Sequence, residues 1–192
     1  APVTVIYDAD APVLTITSPV DGSKSNRETV TVTGSIEDAY LDVVTVNGQN
    51  ATVTNGKYSK RILLEEGLNV ITVEAIDLAG NTTEQSVTID VGYTAPEITN
   101  LVPTENKTLL SGDTVKIEFD SAPDLDAVFS ILMPLTNIVG ASANALELPM
   151  QETSPGHYVG YYTATRNVVA PGAKIEVKVT DDYGNVTTQR AS

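Results

Sequence analysis

Two short stretches of the sequence carry the same polar residues at the same spacing. The pattern Asp-x-x-Gly-Asn runs from Asp77 to Asn81 and again from Asp181 to Asn185. Carboxylate and amide oxygens are the ligands that hard cations such as Ca²⁺ prefer, and a calcium ion takes about six to eight of them. The same residue types form tight turns, because Asn and Gly tolerate positive φ and an Asp side chain can accept hydrogen bonds from nearby backbone amides. The pattern therefore indicates either a pair of cation sites or a pair of self-capped turns.

Further carboxylates should lie near each copy of the pattern if the chain folds as a sandwich of two sheets. In such a fold the incoming linker, the loop after the second long strand and the last hairpin turn meet at one pole. A calcium ion there would tie the linker to the domain and stiffen it. The alternative is that these residues only cap turns and keep the surface soluble. Candidate ligands at the first pole are Asp8, Asp10, Glu37, Asp38, Asp77 and Asn81, and those at the second pole are Asp120, Asp124, Asp126, Asp181, Asp182 and Asn185.

The chain offers few side chains for catalysis. It has no Cys and a single His, His157, which follows a Ser-Pro-Gly turn signal and is interpreted as an ordinary surface or half-buried residue. A glycosidase would need paired carboxylates in a pocket with aromatic sugar platforms, and the sequence has no Trp. No Gly-rich phosphate loop is present. We therefore predict no catalytic residues and no enzymatic activity.

A cluster of tyrosines is the best candidate for a binding surface. Tyr158, Tyr161 and Tyr162 lie in the segment HYVGYY, at the end of a longer middle section that begins near Ile138. They could anchor a polysaccharide, a cell-wall component or a protein. Because side chains alternate along a strand, Tyr161 and Tyr162 should face opposite ways, so at most part of the cluster is exposed.

Alternating apolar residues separated by turn signals predict the elements that position these groups. Asn47-Gly48 and Asn55-Gly56 predict two-residue hairpin loops, and no stretch has the long 3.6-residue apolar period of a substantial helix. We predict an all-β protein of two tandem immunoglobulin-like β-sandwich domains, residues 11–93 and 94–192. The inward-facing residues expected are Val30, Val32, Ile36, Val44, Val46, Ile71, Val73, Ala75, Val87, Ile89 and Val91 in the first domain, and Val115, Ile117 and Phe119 in the second.

Residues 1–10 are predicted to be a strand and linker from a preceding repeat. Ala1 to Tyr7 alternates apolar residues and corresponds to the last strand of the first domain. One expectation is that the chain is part of a longer array, divided between repeats. The other is that Val3, Val5 and Tyr7 complete the second domain of the next copy, which would give head-to-tail filaments by strand addition.

Charge and composition restrict the partners of the chain. The net charge of −14, from 25 acidic and 11 basic residues, disfavours nucleic acid and membranes, because clustered Lys and Arg are needed to bind phosphate groups. Without Cys the chain has neither disulfides nor thiolate metal sites. The expected partners are neighbouring domains of the same protein or copies of this chain, with a cell-wall or polysaccharide ligand as a further candidate.

Two sets of segments resemble known bacterial modules. A resemblance to immunoglobulin-like modules of the glucodextranase type, found also in the C-terminal regions of secreted subtilisin-like proteases, rests on APVLTITSP, VTVTGSIED, VTVNG and LEEGLNVITVEAIDLAGNTT. A resemblance to a companion module rests on PMQETSPGHYVGYYTA and VTDDYGN. Together they cover nearly the whole chain. The resemblance implies an extracellular location and a non-catalytic accessory role, because such modules are joined to many different proteins.

The function expected from these observations is that of a structural spacer in a secreted or cell-surface bacterial protein. Calcium at the acidic poles and head-to-tail strand addition are additional expectations for that spacer. The alternative is a binding module that attaches a secreted enzyme to polysaccharide, cell wall or a protein substrate.

Overall fold

The first domain consists of nine β-strands in two sheets. One sheet has the strand order β1-β3-β7-β6 and the other has the order β2-β9-β8-β4-β5. All pairs are antiparallel except β2 with β9, which is parallel. The strands are β1 Val13–Ser18, β2 Ser23–Ser25, β3 Thr29–Glu37, β4 Leu41–Val46, β5 Gln49–Asn50, β6 Thr52–Thr54, β7 Lys57–Leu63, β8 Gly67–Asp77 and β9 Thr82–Val91.

The core of the first domain lies between these two sheets and follows the predicted alternation. Every second residue of β8 from Ile71 to Ala75 is completely buried, and the outward residues between them are polar or partly exposed. Val30 and Val87 are partly buried and pack against the core. The predicted inward residues that are buried are Val32, Ile36, Val44, Val46, Ile71, Val73, Ala75, Ile89 and Val91.

The two Asn-Gly pairs form the tight hairpin loops that the sequence predicts. Asn47 and Gly48 have φ values of 47° and 74°, and Asn55 and Gly56 have φ values of 51° and 70°. Positive φ at both central residues is the geometry that matches the twist of the flanking strands. The loops join β4 to β5 and β6 to β7, and both predictions are confirmed.

The described residues of the second domain form eight β-strands, again in two sheets. Their orders are β10-β11-β15-β14 and β13-β12-β16-β17. The predicted inward residues Val115, Ile117 and Phe119 are all buried, with exposed fractions of 7%, 0% and 0%. The strands are β10 Thr99–Val102, β11 Thr114–Asp120, β12 Asp126–Leu132, β13 Leu148–Pro149, β14 Gln151–Ser154, β15 His157–Thr163, β16 Lys174–Thr180 and β17 Val186–Arg190.

This computed structural model describes residues 7–132, 146–164 and 172–191. Over those ranges the chain is all-β, which confirms the predicted fold class, and no helix there is long and apolar enough to cross a membrane. The chain divides into two compact units, Ala1–Tyr93 and Thr94–Ser192. Val3 and Val5 of the predicted N-terminal strand lie outside the described residues, and Tyr7 is 90% exposed. Part of the longer middle section that begins near Ile138 also lies outside the described residues.

Candidate functional site

The first copy of the repeated pattern forms the turn that joins β8 to β9. Asp77 is buried, with 2% of its surface exposed. Its Oδ1 accepts hydrogen bonds from the backbone amides of Ala79 and Asn81, both at 2.8 Å, and its Oδ2 accepts one from the Asn81 side-chain amide at 2.7 Å. Gly80 has a φ of 88°, a conformation that residues with a Cβ rarely adopt. The carboxylate of Asp77 therefore caps its own turn.

The second copy repeats these hydrogen bonds in the turn between β16 and β17. The Oδ1 of Asp181 accepts from the backbone amides of Tyr183 at 2.9 Å and Asn185 at 2.8 Å. Its Oδ2 accepts from the Asn185 side-chain amide at 2.8 Å. Gly184 has a φ of 86°. The two domains thus close their last hairpins with the same aspartate-centred turn.

The hydrogen bonds of these turns also control the ionisation of both aspartates. Burial alone would raise the pKa of Asp77, but hydrogen bonds from the Asn81 side chain and from backbone amides of the turn outweigh it and hold the pKa below its ordinary value. The same opposition of burial and hydrogen bonds lowers the pKa of Asp181. Both carboxylates are therefore charged at neutral pH and are bound by donors from their own loops.

The incoming linker of the first domain lies against this turn. The Asn81 side-chain amide donates to the backbone carbonyls of Asp10 at 3.3 Å and Asp8 at 3.5 Å. The Thr83 hydroxyl donates to the carbonyl of Pro12 at 2.6 Å. The linker and the hairpin turn are therefore close together, and the groups that join them are an amide, a hydroxyl and backbone carbonyls.

Calcium binding at the first pole stays a prediction. Asp38 caps its own loop, because its Oδ1 accepts from the Tyr40 amide at 2.6 Å, and Glu37 is exposed at the end of β3. Within the described ranges, no group of three or more His, Asp or Glu side chains is arranged to hold a metal ion. A calcium ion at this pole would have to compete with the three donors that already bind Asp77.

Asp120, a candidate ligand of the second pole, is paired with His157 and Asn100. Its Oδ1 lies 2.7 Å from His157 Nδ1, and its Oδ2 accepts from Asn100 Nδ2 at 2.8 Å. These two hydrogen bonds, that from His157 first, hold the pKa of Asp120 below its ordinary value. Three further candidates of this pole are exposed, and they are Asp124, Asp126 and, within the turn, Asp182.

His157 is a partly exposed member of an ionic network on the outer face of β11 and β15. Its Nε2 lies 3.5 Å from Glu118 Oε2 while its Nδ1 faces Asp120. Glu118 also pairs with Lys116. The contacts described for the His157 imidazole join it to carboxylates, and the nearby Thr153 hydroxyl donates to the His157 backbone carbonyl rather than to the ring. The arrangement therefore matches a polar surface network rather than a catalytic dyad.

The three predicted tyrosine anchors have different environments. Tyr158 is a core residue with 1% of its surface exposed, and its ring stacks on Phe119 with 5.2 Å between the centroids. The prediction that Tyr158 contacts a ligand is therefore wrong, because its ring is enclosed between the two sheets. Tyr162 is half-buried and packs against the same core, while Tyr161 is 63% exposed on the opposite face of β15.

Comparison with known proteins identifies the first domain. Residues 12–93 match the family model described as glucodextranase, domain B. The first domain is similar to glucodextranase domain B. The whole chain is 53% identical to bacillopeptidase F of Bacillus subtilis strain 168 over 192 residues, and it spans 13% of the length of that protein. The resemblance to bacterial immunoglobulin-like modules is thereby confirmed.

Solved structures with low sequence identity confirm the fold of the chain. Fibronectin(III)-like modules of Clostridium thermocellum CbhA superpose with a TM-score of 0.52 and 16% identity, covering 93% of this chain and 91% of that one. The I67–I69 fragment from the I-band of titin superposes with a TM-score of 0.55 and 13% identity, covering 95% of this chain and 65% of that one. At these identities the likeness shows fold alone.

The first domain contains one structural tyrosine that the sequence patterns do not predict. Tyr58 is 1% exposed and its hydroxyl donates to the Thr15 carbonyl of β1 at 2.9 Å. It pairs across the sheet with Gly34, where an added Cβ would overlap the Thr15 carbonyl oxygen and the tyrosine ring. Burial raises the pKa of Tyr58 to about 12, so the hydroxyl stays protonated and donates. A glycine inside a strand is the signal that could have located this contact.

Proposed function

We propose that this chain is a non-catalytic spacer of a larger extracellular bacterial protein, in which it separates and presents other domains. The observation that carries the proposal is the pair of self-capped turns. Asp77 and Asp181 begin the two copies of the Asp-x-x-Gly-Asn pattern, and their carboxylate oxygens accept hydrogen bonds from donors of their own loops. Their role is therefore to shape the domains. The identity to bacillopeptidase F over 13% of its length supports an accessory position in a peptidase of that kind.

A spacer must order the chain where it passes from one domain to the next, and the first domain has contacts that do so. Asn81 binds the backbone carbonyls of Asp8 and Asp10, and Thr83 binds that of Pro12. Hydrogen bonds of this kind contribute about 1 kcal/mol each. We infer that they align the incoming chain with the hairpin β8–β9 and limit its bending there.

Calcium at the same pole would also tie the incoming linker to the domain. A test must therefore separate the contribution of calcium from that of the hydrogen bonds. Thermal unfolding should be followed in millimolar calcium and again in excess chelator. Because Asp77 is already bound by three donors, we expect the midpoints to differ by less than about 1 °C. Asn81→Ala should lower the midpoint equally in both conditions. A midpoint that rises by several degrees in calcium, and no longer does so in Asp77→Asn, would make calcium the tie instead.

Activity and retention assays test the spacer function itself. The purified chain should be incubated with casein and soluble glucans, and passed over insoluble cell walls and polysaccharides. We expect neither turnover nor retention. Turnover that co-purifies with the chain through successive columns would contradict the proposal, and retention would favour the binding alternative.

The binding alternative rests on one exposed aromatic residue. Tyr161 is 63% exposed and lies opposite Lys116 on the outer face of the sheet, an arrangement in which an aromatic ring and a cation could contact a ligand together. Tyr161→Ser should then abolish retention. Tyr40→Ser is the matched control, since Tyr40 is 40% exposed and belongs to the first domain.

A further inference from the structure

Strand β8 extends beyond the strand that pairs with one of its edges. On that edge β4 pairs with β8 only as far as Val73, and Asn47 continues the contact to Thr72. On the other edge β9 accompanies β8 along its whole length, to Gly67. Residues 67–71 of β8 therefore have a strand on one side and, among the residues that the structure describes, none on the other.

The direction of the backbone groups on this segment follows from the bonds of its partners. Val70 lies opposite Thr88, whose amide donates to Asp21 Oδ1 and whose carbonyl accepts from the Gly22 amide. Both groups of Thr88 thus point away from β8, which makes Val70 and Thr88 a non-hydrogen-bonded pair. The N–H and C=O of Val70 consequently point to the open edge.

The backbone N–H and C=O groups of the residues two positions before and after Val70 point to the same edge. The Thr72 amide and carbonyl both bind Asn47 on that edge, at 2.9 Å and 2.8 Å. Because the direction of backbone groups repeats every second residue in an antiparallel strand, the N–H and C=O of Leu68 also point there. The open edge therefore presents two donors and two acceptors in the spacing of a β-strand.

The side chains beside this edge are apolar and exposed. Leu68 is 72% exposed and Val70 is 59% exposed. Natural sheet edges are usually protected by Lys, Pro or a bulge against pairing with another chain. This segment, with the sequence GLNVI, contains neither Lys nor Pro, and its register with β9 shows no bulge. We propose that the segment Gly67–Ile71 is a docking edge that accepts an extended segment of another protein by strand addition.

The charge around the edge specifies the kind of segment that fits. Glu65 and Glu66 immediately precede it, whereas Asp90, opposite Leu68 on β9, is aligned with Lys24 of β2. A second copy of this chain would bring another net charge of −14 to the same place, which opposes pairing. The occupant is therefore an extended peptide with apolar residues at alternate positions and Lys or Arg at its ends. This edge is distinct from the aspartate turns, and the proposal does not depend on the spacer function.

Amide hydrogen exchange resolved by NMR tests the geometry before any partner is known. In the free chain the amides of Leu68 and Val70 should exchange fast, while those of Asn69 and Ile71, which face β9, should exchange at least about tenfold more slowly. Equal protection of all four amides would show that the edge is already covered and would overturn the proposal.

Addition of a peptide tests the occupant. The probe is the capped peptide Lys-Val-Thr-Val-Thr-Val-Lys, and its counterpart carries Glu at both ends. The basic peptide should slow exchange of Leu68 and Val70 by about tenfold or more and leave Asn69 and Ile71 unchanged. Binding without this alternation, or equal binding of the acidic peptide, would overturn the proposed mode of recognition.

A matched pair of variants separates this edge from general surface effects. Leu68→Lys should weaken binding of the basic peptide at least about fivefold. Leu63→Lys adds the same charge at a residue that is 74% exposed on the other sheet, and it should change binding less than about twofold. Val70→Pro removes one edge amide and should also weaken binding; if it does not fold, the lysine pair still decides. A dimer of the chain that Leu68→Lys abolishes would overturn the assignment to a basic peptide.

Discussion

A tyrosine occupies the same place in both domains, but it faces a glycine in one and a phenylalanine in the other. Tyr58 pairs across the sheet with Gly34, and Tyr158 pairs in the same way with Phe119. Opposite Gly34, the tyrosine ring lies close to the backbone and its hydroxyl binds Thr15 in the neighbouring strand β1. Opposite Phe119, the two rings stack, and the hydroxyl binds the loop before β12 instead.

The difference shows how one sandwich fold accommodates two cores. In the first domain a missing side chain makes room for the ring. In the second domain two rings fill the corresponding space, and the missing side chain is that of Gly160, where an added Cβ would lie 2.8 Å from a ring carbon of Phe129. The tyrosine is common to both solutions, and the residue opposite it decides which part of the domain its hydroxyl stabilises.

Removal of the Phe119 ring should cause the largest loss of stability among these variants. Phe119 is completely buried, and Phe119→Ala would leave a cavity beside Tyr158, so we expect the free energy of unfolding of the second domain to fall by about 4 kcal/mol. Domain-resolved hydrogen exchange in denaturant measures the change. The first domain serves as the internal control, and a loss shared equally by both domains would contradict the assignment.

Addition of a single methyl group should disrupt the first domain almost as strongly. In Gly34→Ala the new Cβ would overlap the Thr15 carbonyl and the Tyr58 ring, so the backbone must move, and we expect a loss of about 3 kcal/mol. Thr31→Ala, at an exposed position of the same strand, should cost less than about 1 kcal/mol. If both variants unfold at the same denaturant concentration, Gly34 is not the close contact described above.

Loss of a tyrosine hydroxyl should lower the free energy of unfolding by a smaller amount, and this amount should differ between the two domains. Tyr58→Phe removes one hydrogen bond, to Thr15, and should cost about 1 kcal/mol. Tyr158→Phe removes two, because its hydroxyl donates to Ala122 and accepts from the Leu125 amide, and should cost about 2 kcal/mol. The measurement is urea unfolding of each variant. Equal losses of unfolding free energy in the two variants would mean that the residue opposite the tyrosine does not determine how much its hydroxyl contributes to stability.

The aspartate turns are common to both domains and should give the smallest effect, visible only in acid. The pKa values of Asp77 and Asp181 are lower in the folded than in the unfolded state. Their stabilising contribution is therefore complete above the unfolded value of about 3.9 and is lost as the pH falls through the folded value. We expect the thermal midpoint to fall as the pH is lowered below about 4, where the unfolded chain binds protons at these two carboxylates more readily than the folded chain does.

The matching variants test whether these two carboxylates are responsible. Asp77→Asn with Asp181→Asn should lower the midpoint at neutral pH and flatten its decline in acid. Asp42→Asn, at an exposed position, is the control and should keep the wild-type pH dependence. A double variant whose midpoint declines in acid as steeply as that of the parent would show that other carboxylates dominate.

Sequence patterns predicted the local structure of this chain well, because local structure depends on residues that are close in sequence. The alternation along β8 and the φ requirements of Asn47-Gly48 and Asn55-Gly56 are properties of a few neighbouring residues. The turn formed by Asp77 to Asn81 was recognised for the same reason, since its donors lie two and four residues from its acceptor.

The interactions that were missed join residues far apart in the chain. Tyr58 binds Thr15 across 43 positions, and nothing within either segment indicates the other. The sequence predicts Tyr158 as a surface anchor because strand alternation alone does not determine which of the two faces of the strand is buried. The pairing of Asp120 with His157, 37 positions away, likewise requires the register of β11 with β15, which only the folded sheet defines.

The contacts of the incoming linker determine how a pulling force would enter the first domain. Tension applied ahead of Asp8 reaches the carbonyls of Asp8, Asp10 and Pro12, and from there passes sideways to Asn81 and Thr83. Those side chains belong to the hairpin made by β8, an 11-residue strand, and β9, a 10-residue strand. The pulling force is therefore shared with the longest strands of the domain before β1 separates from β3. Asn81→Ala should lower the force at which the first domain unfolds in an optical trap.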